Sequence, residues 1–410
     1  MQTRRGLLAA LTLAAPIAAG AEDLPAARPF PPDGRYLPFW QALNSGAPGP
    51  FSGIKDQYAA MLGQEAVALE KAGRFRSQHQ ALPPSPLHAH DAIGRIVEAS
   101  RGRRVVFLNE AHNCSRHRAF LARLLAALKP EGFTHLAAED FLNSDDPTEP
   151  KISELQAGGV LNSDCGFYLH DPVYAEAVRD ALDLGYRLVP YEQRQGQEAP
   201  AGATNLEQIA AREQAEADNF TAILQAEPEA RVLVYVGYSH LREAPDLRGS
   251  EWFATRLKRA TGIDPLTVGQ SETGSFAPHA PDGRLTREVL NLFRPIAPIV
   301  VEGSDGLSLG AEGMAADLAV FHPSLPDIRG RPGWWAAMPG RRWLPVQVPA
   351  LSGPLLVQAV YAGDPQKCIP ADHVLLDKGG ATVWLRLRPG RYRLRLEAPA
   401  GFIPLGDVTV

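Results

Sequence analysis

A short apolar run that ends in an acid and a histidine constrains this chain more than any other feature. Residues 105–108 (Val-Val-Phe-Leu) are uninterrupted, β-branched and aromatic, which is typical of a strand buried on both faces. Asn-Glu-Ala-His follows, which brings Glu110 and His112 to the strand end, and residues 115–128 repeat apolar side chains at helical spacing after a capping Ser115. Polar groups between a parallel strand and a helix N-terminus mark the ligand-binding edge of open α/β sheets. The sequence therefore predicts a site at this edge.

Strand-like and helix-like segments alternate over residues 87–325, which we expect to form one domain. Their lengths indicate βαβ units with right-handed crossovers. The predicted fold class is α/β, a mainly parallel sheet flanked by helices. The further predicted strands are 134–141, 187–191, 231–236, 266–268, 296–301 and 318–321, and the helices are 92–100, 171–184, 206–225 and 251–260.

The N-terminal residues have the pattern of an export signal. Two arginines precede an apolar stretch and small residues at 19–21, so residues 1–21 are predicted to be a signal peptide, with a motif similar to a twin-arginine signal. We expect a periplasmic or secreted protein. Residues 22–86 are rich in proline and predict an arm with one helix, near 54–71.

The sequence changes in character after about residue 325. Residues 326–344 are predicted to be a linker, and residues 345–410 a small all-β sandwich. Residues 383–388 and 392–396 alternate apolar and polar side chains around Pro-Gly, which predicts a β-hairpin. Its arginines are expected on a solvated outer face, with polyanion binding as the alternative. They are Arg386, Arg388, Arg391, Arg393 and Arg395.

Composition restricts the class of partner. The formal net charge of the 410 residues is −5, which argues against nucleic acid as the main partner. No apolar run of about 18 residues lies beyond the signal, so no transmembrane segment is expected after cleavage. A small molecule or a peptide is the expected ligand. Three cysteines leave two interpretations open, a disulfide between Cys114 and Cys165 or three unpaired thiols.

Acids and histidines follow several predicted strands at the same edge of the sheet. A histidine oriented by a carboxylate two residues away is a suitable general base near neutral pH. A hydrogen-bonded structural histidine is the alternative for His112. Two histidines with carboxylates also suit Zn²⁺ or Mn²⁺, although no compact ligand motif is present. The groups at strand ends are Glu110 and His112, Glu139 and Asp140, Tyr191 and Glu192, and Tyr238 and His240.

Two further segments can contribute to this site. Arg212 lies in a predicted helix with Asn219 seven residues on, on the same side, where the arginine can hold acids ionised or bind an anionic substrate. A solvated pair with Glu216 is the alternative. His117, one turn into the first helix, can reach the same region or pack in the core.

Residues 105–141 resemble the opening strand, helix and strand of the ChaN-like, Tiki/TraB-like and erythromycin-esterase-like superfamily. The family strand ends in Gly-Glu-x-His, and here Asn109 replaces the glycine. The resemblance places Glu110, His112 and Glu139 on marked positions. Residues 232–243 are similar to the family strand that ends in Gly-x-x-His, which marks His240.

Residues 210–220 are similar to the esterase helix that carries an arginine, an acid and a downstream asparagine. Arg212, Glu213 and Asn219 fall on those positions, whereas Glu216 stands where the family usually has methionine. The family includes haem-binding lipoproteins, metal-dependent peptidases and macrolide-lactone hydrolases.

Three functional hypotheses follow. The first is a hydrolase of an ester or amide bond, in which His112 is the base and Glu110 orients it. Three further residues would complete the site: Glu139, His240 and Arg212. The reaction would proceed with or without a metal ion bound at Glu110, His112, Glu139 and His240. The second, implied by the resemblance, is a haem- or metal-binding periplasmic protein without turnover. The third is a scaffold that acts through its β domain. Asp140, Tyr191, Glu192, Tyr238 and His117 are candidate binding residues.

Overall fold

The computed structural model describes residues 34–44, 55–72, 82–83, 85–146, 152–162, 164–271 and 284–410. The predicted signal peptide, residues 1–21, lies outside these ranges. None of the helices within them combines the length and the apolar composition that crossing a bilayer requires.

An eight-stranded sheet forms the centre of the molecule, in the order β1-β7-β8-β6-β2-β5-β3-β4. The strands from β8 to β4 in this order are parallel, and at the other edge β7 pairs antiparallel with β8 and β1 pairs antiparallel with β7. The predicted mainly parallel α/β fold is confirmed. The strands are β1 (Leu87–Asp91), β2 (Val105–Glu110), β3 (His135–Ala138), β4 (Arg187–Val189), β5 (Val232–Gly237), β6 (Leu266–Gly269), β7 (Ile299–Gly303) and β8 (Leu318–Phe321).

Helices cover both faces of this sheet. Successive residues of β2 alternate between two hydrophobic cores, with Val106 and Leu108 in one and Val105 and Phe107 in the other. Helices α4, α5 and α7 pack on the first core, and α8 and α9 on the second. The helices of this region are α4 (Ala92–Ser100), α5 (Ser115–Leu128), α6 (Ile152–Gln156), α7 (Pro172–Asp183), α8 (Asn205–Ala226), α9 (Phe253–Thr261), α10 (Arg284–Phe293) and α11 (Ala311–Met314).

The starts of α7 and α5 are connected by a hydrogen bond. Asp171 caps α7, since its side chain accepts a hydrogen bond from the backbone of Val173. Ser115 was expected to cap α5, but Cys114 takes that position. The Ser115 hydroxyl donates instead to Asp171 Oδ2 at 2.6 Å. It therefore ties the first turn of α5 to the start of α7.

The N-terminal arm has three short helices in its described part, where we expected one. They are α1 (Leu37–Asn44), α2 (Lys55–Met61) and α3 (Glu65–Ala72). The expected helix over 54–71 is interrupted at Gly63, whose φ of 74° lies in the left-handed region. The backbone nitrogen of Tyr36, just before α1, donates to the Glu397 carboxylate at 2.9 and 3.0 Å. The arm is thus anchored to the C-terminal region.

Two antiparallel sheets form the C-terminal region and share one hydrophobic core. The predicted hairpin is wrong, because its strands pair in different sheets, β12 with β9 and β13 with β10 and β14. Their apolar faces pack against each other across the core. The residues expected to be a linker carry α12 and the start of β9. The elements are α12 (Gly333–Ala336), β9 (Arg342–Gln347), β10 (Ser352–Tyr361), β11 (Asp372–Lys378), β12 (Thr382–Leu387), β13 (Arg391–Ala398) and β14 (Gly401–Thr409).

Of the five arginines expected on a solvated face, one is buried and three are half-buried, contrary to expectation. Arg395 is 4% exposed and donates to Gln358 Oε1 at 2.7 Å, within the β sheets. Arg388 pairs with Asp180 at 3.0 Å and Glu176 at 3.2 Å, both on α7. The contacts of Arg388 therefore join the β sheets to the α/β domain.

Candidate active site at the ends of three neighbouring strands

The acids and histidines expected at the sheet edge come together around Gly237, at the end of β5. Strand β5 lies between β2 and β3, so Glu110 and Glu139 flank it. A Cβ atom placed on Gly237 would lie 2.5 Å from His112 Nε2 and 3.0 Å from Glu139 Oε2. His240 Nε2 lies 3.6 Å from Glu139 Oε1. Both histidines therefore lie near Glu139.

His112 is oriented by Glu110 and held between two tyrosine rings. Its Nδ1 lies 2.8 Å from Glu110 Oε1. The Tyr168 ring stacks on the imidazole at 3.9 Å between centroids, and Tyr238 contacts it edge-on at 4.9 Å. With only 6% of the residue exposed, the ring has little freedom to rotate.

The Glu110 carboxylate is saturated by buried partners. Arg118 donates to it through Nε and Nη2, each at 2.8 Å, and the Tyr235 hydroxyl donates at 2.7 Å. Burial alone would raise the pKa of Glu110, but Arg118 and His112 outweigh it and lower the pKa to about 2. Arg118 is itself fully buried and also binds Asp171 at 2.8 Å. Glu110 is consequently a fixed anion at neutral pH.

Glu139 is the acid at the centre of the cluster. The backbone nitrogen of Gly237 donates to its Oε2 at 2.5 Å, and Arg212 Nη2 donates to its Oε1 at 2.9 Å. Burial would raise the pKa of this carboxyl, but His240 and Arg212 outweigh it and hold the pKa well below its usual range. Glu139 is therefore a second fixed anion, next to both imidazoles.

Helix α8 brings Arg212 and Asn219 to the same side, as their spacing predicts. Arg212 Nε donates to Glu192 Oε1 at 3.0 Å, and Asn219 Nδ2 donates to the Glu192 carbonyl at 3.0 Å. Asn219 also binds the carbonyl of Tyr191, so it holds the chain that follows β4. The Arg212 side chain is 31% exposed and Glu192 23%, which makes this the solvent-facing side of the cluster.

His240 forms a second histidine–carboxylate pair with α8. Its Nδ1 lies 2.9 Å from Glu213 Oε1 and 3.3 Å from Glu216 Oε2. Burial disfavours the imidazolium, but Glu213, Glu216 and Glu139 outweigh it and raise the pKa of His240 well above its usual value. Glu213 also accepts a hydrogen bond from the backbone of Phe253, at the start of α9.

The expected metal set does not assemble. Glu110 cannot become a ligand without losing Arg118, because both of its oxygens accept from that guanidinium. Among the described residues, one group of three has ligand atoms within 4.8 Å of one another, and it comprises Glu213, Glu216 and His240. His240 thus belongs to a different set from the one expected.

Haem does not fit this cluster. The residues His112 and His240 are 6% and 7% exposed, so neither imidazole faces an open cleft. A porphyrin needs an open apolar cleft and an accessible imidazole nitrogen.

Three of the expected binding residues take other positions. Asp140 accepts from the backbone of Tyr168 and Leu169, each at 2.7 Å, and burial raises its pKa to about 8. Tyr191 lies in the core. His117 accepts from the Ala111 nitrogen at 3.0 Å, and its ring lies 5.2 Å from His322, so it supports the chain after β2. Tyr238, in contrast, lines the site through its ring.

Of the two interpretations of the cysteines, the structure has the unpaired thiols. Cys114 and Cys165 are both free, buried thiols. Cys114 Sγ lies 3.7 Å from Glu65 of the N-terminal arm, and Cys165 lies 3.9 Å from Asn162. The two residues thus have different neighbours.

Sequence reasoning missed Arg118, and it marked Glu213 only through the resemblance. Both residues leave a signal in the sequence, because each is a charge in a helical stripe that is otherwise mostly apolar. Arg118 precedes Leu121 and Leu125 at helical spacing, and Glu213 precedes Ala217 and Phe220 in the same way. Such a charge needs a buried partner, and here the partners are Glu110 and His240.

No family model and no curated protein matches the chain. Solved structures similar to it include RRSP, a MARTX toxin effector domain from Vibrio vulnificus CMCP6 (19% identity over 43% of this chain and 36% of that chain, TM-score 0.33). The type III effector HopBA1 is 17% identical over 46% of this chain and 88% of its own, with a TM-score of 0.32. A mutant erythromycin esterase in its open conformation is 12% identical over 72% and 67%, with a TM-score of 0.21. The chain spans 34% to 42% of the length of three bacterial toxin structures that it matches. Similarities of this strength assign neither a family nor an activity.

Proposed function

We propose that this protein is a hydrolase that uses His112 as general base to activate water for attack on an ester or amide carbonyl. The observation that carries the proposal is the Glu110–His112 pair, at 2.8 Å, with Nε2 directed towards Glu139 and Gly237. With the proton on Nδ1 donated to Glu110, the lone pair on Nε2 accepts a proton. Glu110 stays ionised because Arg118 binds it.

The chain's own groups account for each step. Water transfers a proton to His112 Nε2 as its oxygen bonds to the carbonyl carbon. Glu110 stabilises the imidazolium that forms, and Arg212 is the cation on the solvent-facing side that stabilises the oxyanion. As the carbon–oxygen or carbon–nitrogen bond breaks, His112 returns the proton to the leaving group. Glu139 and His240 are positioning residues, since Glu139 lies 3.6 Å from His240 Nε2 and binds Arg212.

The sequence resemblance supports the same proposal. Glu110, His112, Glu139 and His240 are the positions that it marks, and they are the residues that face one another. The second candidate, a haem- or metal-binding protein without turnover, is less well supported for haem because both imidazoles are buried against carboxylates. Export through an N-terminal signal is part of the proposal, and cell fractionation with N-terminal sequencing of the mature chain tests it.

The direct experiment compares His112→Asn with a matched histidine variant on a panel of an ester, a peptide and a lactone, with and without added divalent metals. His135→Ala is the control, because His135 is also buried and paired with a glutamate, Glu227 at 3.1 Å, but lies at the start of β3. We expect His112→Asn to reduce kcat/KM by about 10²–10⁴-fold and the control to leave it within threefold. Equal rates for wild type and His112→Asn would eliminate the proposed base.

A further inference from the structure

Glu216 is a buried acid that the hydrolase proposal does not use. The residue is fully buried, and neither carboxylate oxygen accepts a hydrogen bond from a described residue. Its contacts are ionic, Arg212 Nε at 3.2 Å and His240 Nδ1 at 3.3 Å. A buried carboxylate without hydrogen bonds is costly, so a further ligand at this position would stabilise it.

Glu216 has the neighbours that a cation site requires. Glu213 and Glu216 lie three residues apart on α8 and direct carboxylates to His240 Nδ1, with ligand atoms within 4.8 Å of one another. Two carboxylates and an imidazole suit a divalent transition metal. Four carboxylates meet here, whereas Arg212 is the permanent cation that contacts three of them, Glu139, Glu192 and Glu216. A divalent ion offsets this excess.

The surrounding contacts orient the proposed ligands. A histidine bound to a metal usually donates its other ring N–H to a carboxylate, and His240 Nε2 lies 3.6 Å from Glu139 Oε1. The backbone nitrogen of Phe253 donates to Glu213 Oε2 at 2.7 Å, which fixes that side chain. The Tyr191 hydroxyl is buried with no partner among the described residues.

We propose that Glu213, Glu216 and His240 bind one Zn²⁺ or Mn²⁺ ion. This site is distinct from the one expected at Glu110 and His112, and its ligands include the acid that departs from the methionine usual in the esterase-like helix. The site does not depend on the hydrolase proposal, because binding is measured without substrate.

The test uses the full chain, freed of metal with a chelator and titrated with ZnCl₂ and with MnCl₂ in a calorimeter. We expect one ion per chain for at least one of the two metals, and at least about 100-fold weaker binding by Glu216→Gln and Glu213→Gln. Glu192→Gln is the matched control, because it removes a carboxylate of the same cluster that is not a ligand. It should bind within tenfold of wild type, and thermal unfolding of the wild type and of Glu192→Gln, but not of the two ligand variants, should shift upward with metal.

Glu216→Met keeps the proposal falsifiable if Glu216→Gln fails to fold, because an unbranched apolar side chain fills the same space without a ligand atom. Either variant, once shown to be folded by circular dichroism, should not bind the metal. The proposal would be overturned if the wild type bound neither metal, or if a folded Glu216 variant bound metal as tightly as the wild type. Activity without metal binding would refute this site alone, and binding without activity would refute the hydrolase alone.

Discussion

Single buried charges determine the chemistry of this protein, and Glu110 is the clearest example. Its carboxylate is almost completely buried, with 2% of the residue exposed. The negative charge is nevertheless stabilised, because the carboxylate contacts Arg118, Tyr235 and His112. Removal of that charge leaves Arg118 with Asp171 as its remaining carboxylate partner. The stability of the fold should therefore depend on this ionisation.

The low pKa of Glu110 leads to a prediction about the stability of the protein in acid. A carboxyl whose folded pKa is about 2, against 4.5 when free, stabilises the folded state above pH 4.5 and loses this contribution as pH falls towards 2. The difference corresponds to about 3 kcal/mol. We expect Glu110→Gln to lower the unfolding free energy by about that amount at pH 7, and the gap from wild type to shrink between pH 4.5 and 2. Urea unfolding of wild type and Glu110→Gln across this pH range measures the difference in unfolding free energy, with Glu227→Gln as the control. A difference that does not change with pH would contradict the prediction.

Strands and their ends were predictable because their signals are local. Residues 105–108 and 232–236 are short apolar runs that two buried faces require, and their polar ends then share one edge by topology. The pairing of β12 and β13 was not predictable in the same way. Two alternating segments around Pro-Gly fit a hairpin and a sandwich corner equally well, and contacts with β9 and β10, distant in sequence, decide between them.

The burial of the charged residues in the site could not be predicted from local sequence patterns either. The seven-residue spacing placed Arg212 and Asn219 on one side of α8. The alternative for Arg212 was a solvated pair with Glu216, but the Glu216 side chain of that pair is fully buried. Burial depends on how α8 packs against β5 and α9, which no window of sequence contains.

The end of strand β5 gives a prediction at the scale of elements. Gly237→Ala would place a methyl group 2.4 Å from His112 Cε1, so the imidazole ring must move away from residue 237. We expect kcat/KM to fall about 100-fold, since small displacements of a reacting group have effects of this size. Gly94→Ala is the control, because its Cβ has an ordinary contact of 3.4 Å on exposed α4, and it should raise the unfolding free energy by about 0.5 kcal/mol. Unchanged activity of Gly237→Ala would show that His112 is not the base.

The α/β domain and the C-terminal sheets are joined by a buried ionic contact centred on Glu176 of α7. Arg341 and Arg388 each approach its Oε2 to 3.2 Å, and the Tyr361 hydroxyl donates to Oε1 at 2.9 Å. Burial would raise the pKa of this carboxyl, but Arg179, Arg388 and Arg341 outweigh it and lower it. One α7 residue thus holds three side chains of the C-terminal region.

Glu176→Gln should weaken this junction. The substitution leaves Arg341 without its most buried partner, so we expect the unfolding free energy to fall by about 3 kcal/mol. Asp183→Asn is the matched control, because Asp183 also contacts Arg388 but its side chain is 70% exposed, and its effect should stay within about 0.5 kcal/mol. Calorimetric unfolding of both variants measures the difference. Equal effects would show that the junction rests on other contacts.

The bond between the Glu397 carboxylate and the backbone nitrogens of Tyr36 and Leu37 joins residues 361 and 360 positions apart. During synthesis, the first described helix therefore emerges from the ribosome long before the acid that binds its N-terminus has been translated. The N-terminal arm cannot form this contact before β13 has been synthesised, and a chain that terminates before β13 lacks the carboxylate that anchors the arm. Synthesis of the last strands is thus also the step that allows the described start of the arm to be anchored.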